Sequence, residues 1–265
     1  MDCLLYNVNA FVAEGCKGSP ACVVVLRKEI PDDRMLQIAS ENGVPETAFI
    51  LRQDGGYRLR WFTPDMEMDL CGHATLASAH VAFAHLRKND AENPAFCGNS
   101  VCFETREGVI EVRCEGERLY TLNFPVRKGK PAELPKAIYD SLSIKPSEVY
   151  LSRDYLLIYD DCKAVEQVEV CDRRLFDTVN LGEGGVIVSA PGYGKYDFVS
   201  RFFTPQATIL EDPVTGSAHC TLAPYWAERL GSSMLNAVQL SANRGELRCR
   251  IEGDRVYITG RAEES

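Results

Sequence analysis

Residues 60–80 read Arg-Trp-Phe-Thr-Pro-Asp-Met-Glu-Met-Asp-Leu-Cys-Gly-His-Ala-Thr-Leu-Ala-Ser-Ala-His. Residues 201–219 read Arg-Phe-Phe-Thr-Pro-Gln-Ala-Thr-Ile-Leu-Glu-Asp-Pro-Val-Thr-Gly-Ser-Ala-His. At a constant offset of 141, Arg60 meets Arg201, Phe62 meets Phe203, Thr63 meets Thr204 and Pro64 meets Pro205; Cys71 then falls opposite Asp212. A second match follows in the same order. Residues 107–120 align with 244–257 at an offset of 137, so that Gly108/Gly245, Arg113/Arg250, Glu115/Glu252, Gly116/Gly253, Arg118/Arg255 and Tyr120/Tyr257 coincide. Two ordered matches at nearly one spacing predict two copies of a unit of about 130 residues. The expected division is residues 1–118 and 119–265, with the last strand free to pack back on the first unit. Residues 126–135, rich in lysine, glycine and proline, suit a linker.

Within each unit the pattern reads as strands curled around one helix. Residues 21–26 and 58–62 are β-rich. Residues 109–114 with 118–122 form a hairpin about Glu115-Gly116-Glu117, and 246–251 with 255–259 repeat it about Glu252-Gly253-Asp254. Residues 74–86 are small and apolar on nearly every face, as are 215–230 until Glu228, and a helix apolar all round is buried. Residues 31–42 suit a shorter outer helix.

Composition narrows the function. The 265 residues carry 29 Lys+Arg against 38 Asp+Glu, a net charge of −9, which argues against a nucleic-acid partner. The longest apolar run, residues 21–26, is far below the roughly 20 residues of a membrane span. The N-terminus Met1-Asp2-Cys3-Leu4-Leu5 has no basic region, so no secretory signal is expected and a cytoplasmic protein is. The eleven cysteines are scattered, without a Cys-x-x-Cys pair, and only four histidines accompany them; free thiols and no metal site are expected.

In each copy a strand and a loop lead to the N-terminus of the buried helix, at Gly72 and at Gly216. Helix N-termini offer unpaired N–H groups and partial positive charge. If the two starts face each other, the cleft between the units takes a small carboxylate.

Four segments carry a resemblance: Asn9-Ala10-Phe11 with Gly18-Ser19-Pro20-Ala21; Pro45-Glu46-Thr47-Ala48-Phe49; Arg60 to Pro64 with Leu70-Cys71-Gly72-His73-Ala74-Thr75; and Arg201 to Pro205 with Glu211-Asp212-Pro213-Val214-Thr215-Gly216-Ser217-Ala218-His219. Together they resemble the PhzF-like (phenazine-biosynthesis isomerase) family of the diaminopimelate-epimerase-like superfamily. Ser19 stands where that family usually has Asn, and Pro45 where Ser is common. The resemblance implies an α+β fold of two similar domains from an internal duplication. Each would be a barrel-like, mostly antiparallel sheet around a central helix, with the active site between them. It also implies a homodimer and a cofactor-independent isomerase that moves a proton on a small, chorismate-derived cyclic amino acid.

A proton shift without metal or cofactor needs one group to take a proton and one to return it. Racemases of the superfamily use one cysteine from each half. Here Cys71 falls opposite Asp212 and no cysteine opens the second loop, so Glu46, His73 and Asp212 remain as candidates. Glu46, between Pro45 and the apolar Ala48-Phe49-Ile50, is expected to be partly buried and to act as the general acid/base. His73, whose protonated form the helix dipole should disfavour, would polarise the substrate or relay a proton with Asp212. Gly72, Gly216 and Ser217 would bind the substrate carboxylate. Cys71 is expected to pack, His80 and His85 to be core or surface residues, and His219 lies close enough to the motif to be followed. Residues 182–185 and 192–195 suggest phosphate loops but lack the full spacing, so turns are expected. The alternative is a non-catalytic member of the same fold that binds a metabolite or a protein. Loss of Glu46 would have favoured it.

Overall fold

The chain alternates strand and turn as its period-2 runs dictate, and the computed structural model describes residues 3–53, 55–90 and 92–265. Met1 and Asp2, part of the N-terminus read above, lie outside these. The first half comprises β1 (Cys3–Val12), β2 (Ser19–Leu26), α1 (Asp32–Asn42), β3 (Glu46–Gln53), β4 (Gly56–Phe62), β5 (Glu67–Met68), α2 (Gly72–Val81), β6 (Phe96–Cys97), β7 (Ser100–Thr105), β8 (Gly108–Gly116) and β9 (Leu119–Pro125). The second comprises β10 (Lys130–Pro131), α3 (Lys136–Ser141), β11 (Glu148–Leu151), β12 (Tyr155–Ile158), α4 (Cys162–Gln167), α5 (Arg173–Phe176), β13 (Val186–Pro191), β14 (Phe198–Phe203), α6 (His219–Leu230), β15 (Met234–Gln239), β16 (Gly245–Glu252) and β17 (Arg255–Glu264).

β1, β2, β3, β4, β7, β8, β9 and β17 pair in a closed ring of eight strands. Closing the ring removes its sheet edges. α2 fills the ring and is buried along its whole length, because alanine and glycine let the surrounding strands approach from all sides. A single turn of π-helix, Ala82–Leu86, ends it.

β17 stitches the halves together. Its start pairs with β16, its end pairs with β1, and β9 runs along its other edge. From β1 through β9, and again from β11 through β17, successive neighbours run antiparallel, parallel, antiparallel, parallel, antiparallel, antiparallel. α6 occupies in the second half the place of α2 in the first, but begins at His219. The preceding residues 216–218 form a tighter turn, with the His219, Cys220 and Thr221 N–H groups bonding three residues back. Among the described residues no helix is long and apolar enough to cross a membrane.

The Arg-x-Phe-Thr-Pro repeat has a physical basis. Arg60 grips Glu67 through two bonds of 2.7 Å and lies over the Phe62 ring. Arg201 grips Glu211 at 2.7 and 2.9 Å and lies over Phe203. Each bidentate pair ties a strand to the segment that leads into the buried helix.

Candidate active site

The two helix starts touch. A Cβ placed on Gly72 would lie 2.6 Å from the Gly216 Cα, and one on Gly216 would lie 2.9 Å from the Gly72 Cα. Only glycine at both positions permits this approach. Phe11, at a bulge in β1 with φ 64°, turns its buried ring to within 3.3 Å of the Cβ position of Gly216.

This contact corrects the sequence register. The Thr63 N–H bonds the Met66 carbonyl, and the Thr204 N–H bonds that of Leu210. The second loop is therefore three residues longer. Beyond it the offset is 144, so Glu67 corresponds to Glu211, Gly72 to Gly216, and Cys71 to Thr215 rather than to Asp212. The extra residues reach across the cleft, where the Thr208 N–H and hydroxyl bond the Asp65 carboxylate at 2.8 and 2.7 Å.

Below that bridge lies a cavity of about 390 Å³, a size that suits a small molecule. Glu46, Gly72, His73, Asp212, Gly216 and Ser217 all line it, as do Cys71 and Thr215. Glu46 opens β3, half-buried as its apolar neighbours suggested. Its Oε2 lies 2.9 Å from His73 Nε2, and His73 Nδ1 faces the Cys71 Sγ at 3.8 Å. The Glu46–His73 approach is close enough for charge pairing, yet neither facing atom makes a directed hydrogen bond. Asp212 Oδ2 accepts from the Thr215 hydroxyl at 2.5 Å, while its Oδ1 is buried without a partner. Gln239 fixes that loop by donating to the Asp212 carbonyl and accepting from the Thr215 N–H. Buried polar atoms are nearly always paired. Asp212 Oδ1, without a partner among the described residues, and the Glu46 Oε2–His73 Nε2 pair, which lacks a directed hydrogen bond, therefore mark where a ligand's polar groups belong.

The electrostatics of His73 differ from the sequence expectation. Burial opposes its charge, but the adjacent Cys71 and Glu46 outweigh burial and hold the ring well above its usual range. The dipole of α2 loses to charges in direct contact. The Cys71 thiol is pushed up to about 11, chiefly by burial, so it keeps its proton at neutral pH. Cys71 is buried as a packing residue would be, but it also lines the cavity. Sequence spacing predicted no metal site, yet Glu46, Cys71 and His73 each bring a donor atom within 4.8 Å of the others. A metal would need thiolate and neutral imidazole. Both residues favour the protonated form here, so a metal would have to displace their protons, and the trio also suits proton handling.

His219 is a core residue. Its Nδ1 donates to the Thr215 carbonyl at 3.0 Å, which assigns the tautomer, and burial lowers its pKa to about 4. His80 lies against Tyr120, and His85 pairs with Glu264 at 2.7 Å, both outside the cavity lining.

Residues that sequence reasoning passed over also line the cavity, Arg153 and Asn180, together with Glu183 of the expected turn. Gly182, read as part of a turn, does so as well. Arg153 has a nearly buried guanidinium, 16% exposed, that pairs with Asp69 at 2.8 Å and donates to the Ser217 hydroxyl at 3.2 Å. Burial opposes its charge, but Asp154 and Asp69 more than compensate.

Asp212 gives a test by pH. Burial first, then the Glu46 charge, raises its carboxyl to about 6, while His73 pulls the other way. Between pH of about 4 and 6 the native state holds a proton that the unfolded chain has released. The stabilising contribution of this group is thus complete below about pH 4 and is lost as pH rises through 6. Asp212→Asn is therefore expected to stabilise the protein by about 1–3 kcal/mol at pH 7.5. The gain should vanish near pH 4, and activity should fall. Thermal melts at both pH values check this, and equal differences from wild type at the two would refute it.

Comparison with known proteins follows the same lines. The family model for the phenazine biosynthesis-like protein matches residues 8–264. A protein of Pseudomonas aeruginosa named as an uncharacterized isomerase is 43% identical over 262 residues, spanning 99% of this chain and 96% of its own. An uncharacterized isomerase of Halalkalibacterium halodurans is 39% identical over 97% of this chain and 94% of its own. The crystal structure of a phenazine biosynthesis protein of the PhzF family from Enterococcus faecalis superposes with a TM-score of 0.84 at 39% identity, covering 98% of this chain and 95% of that one.

Proposed function

Because the chain belongs to the phenazine biosynthesis-like protein family, we propose that it is a cofactor-independent isomerase that moves a proton on a small amino or hydroxy acid. Relatives named isomerases support the reaction class. The observation that carries the chemistry is the Glu46–His73 pair, with no directed hydrogen bond between its buried facing atoms, and the unpartnered Asp212 Oδ1 around the same cavity.

Glu46, as carboxylate, takes a proton from one carbon of an unsaturated acid. The electron pair left behind moves through the adjacent double bond. The proton then returns from Glu46 to the carbon at the far end, so no atom or electron is gained or lost. His73, kept charged by Glu46, steadies the carboxylate before the transfer. Asp212 titrates near 6 and is suited to hold a substrate N–H or O–H. The N–H groups at the touching helix starts favour an anion beside them. The eleven free cysteines support the cytoplasmic placement.

The test is deuterium uptake from D2O into a panel of small cyclic and unsaturated amino acids. Uptake into any member above the enzyme-free rate supports the isomerase. Thermal stabilisation by a panel member without uptake would instead favour a binding protein that kept the fold.

A further inference from the structure

We propose that Arg153 is the anchor that selects a carboxylate, holding it beside Ser217 at the turn into α6. The inference deepens the isomerase reading and rests on it for what happens after binding.

Four carboxylates, Glu46, Asp65, Glu183 and Asp212, line the cavity, and among the described residues Arg153 is the one Lys or Arg that does. On a chain of net charge −9, a fixed cation favours the entry of an anion into such a cavity. Arginine is rarely buried without a reason, and this one is 16% exposed.

Arg153 is also held in advance. Asp69 takes Nη1 at 2.8 Å and is shared with Arg127 at 3.3 Å. Asp154, 1% exposed, lies 3.4 Å from Nε and is itself fixed by the Gly185 N–H at 2.9 Å. The loop fits because Gly184 has no side chain; a Cβ there would lie 2.5 Å from the Arg153 carbonyl oxygen. A cation ordered before binding loses little entropy on binding.

Among the described residues, Nη2 meets only the neutral Ser217 hydroxyl, at 3.2 Å. A carboxylate bridging Nη2 and that hydroxyl would replace a weak contact with a charge-assisted one. Met66, Leu70, Phe202 and Ile209 add apolar surface to the same lining. The ligand class is therefore a monocarboxylate with a small apolar ring or chain.

Benzoate and its neutral isostere benzamide are the probes, titrated into the full-length protein by calorimetry. Wild type should bind benzoate at least tenfold tighter than benzamide, the loss expected when a charged hydrogen bond is removed. Arg153→Met should abolish that ratio, and Arg153→Lys should retain part of it, because lysine keeps the charge and loses the fork. Should Arg153→Met fail to fold, wild type labelled with ¹⁵N-arginine gives the answer. One Nε–H resonance, absent from Arg153→Lys, should shift with benzoate and not with benzamide. A ratio near one in wild type, no binding of either probe, or an unchanged ratio in Arg153→Met would overturn the proposal. The last result would make Arg153 a strut between Asp69 and Asp154. Inorganic phosphate displacing benzoate at equal concentration would overturn the choice of carboxylate. Benzoate selectivity without deuterium uptake into any acid would sink the isomerase reading alone. Uptake with an unchanged KM in Arg153→Met would sink the anchor alone.

Discussion

Glu46→Gln is expected to reduce proton exchange by about 10²- to 10⁴-fold, the contribution typical of a positioned general acid or base, while the protein stays folded. The amide matches the carboxylate in size and keeps a hydrogen-bonding oxygen, so the half-buried position at the start of β3 is not disturbed. What it cannot do is take a proton and return it. The substitution also has an electrostatic signature independent of any substrate. Glu46 raises both His73 and Asp212, so without its charge both should titrate at lower pH. Histidine NMR across a pH series reads the first shift directly. A Glu46→Gln variant with the wild-type exchange rate would refute the role of Glu46. An unmoved His73 would mean that the 2.9 Å approach carries no charge coupling.

The local elements were legible because their causes are local. Glu115-Gly116-Glu117 and Glu252-Gly253-Asp254 mark tight turns between β-rich runs, and β8–β9 and β16–β17 pair around them. Small apolar residues on every face of 74–86 imply a helix with no solvent side; α2 has none through Val81, whereas residues 83–86 of the π-turn are half-buried. Gly72, Gly216, Glu46, His73, Asp212 and Ser217 do share one cavity. What escaped depended on distant partners. The register slipped by three because the added residues of 205–210 follow an identical Thr-Pro start, and only the Glu67 and Glu211 ion pairs show where the copies realign. The charge of His73 was misjudged from the helix dipole alone, since Glu46 lies 27 positions earlier and meets it only in the fold. Arg153 belongs to no repeated motif, and its partner Asp69 is 84 residues away. Nothing near it in sequence distinguishes it from a solvated arginine.

Gly72→Ala should damage both stability and catalysis. The added carbon would sit 2.6 Å from the Gly216 Cα, 3.0 Å from its carbonyl carbon and 3.1 Å from the Ser217 nitrogen. All three are backbone atoms, so no rotamer change relieves the clash and the helix starts must part. Overpacking of this kind costs about 1–3 kcal/mol, which lowers Tm by about 2–12 °C in a chain of this size. Rate should suffer more than stability. Glu46 and His73 stand on one side of the contact and Asp212 and Ser217 on the other, and a displacement near 1 Å can cost about 10²-fold. Gly216→Ala should behave alike, since its methyl group would lie 2.9 Å from the Gly72 Cα. The double variant distinguishes this contact from two unrelated defects. Once the helix starts have separated for the first methyl group, the second enters the same gap, so the double loss should be smaller than the sum of the single losses. Additive losses, or a Gly72→Ala protein with wild-type Tm and exchange rate, would mean that the touching glycines do not set the geometry of the cleft.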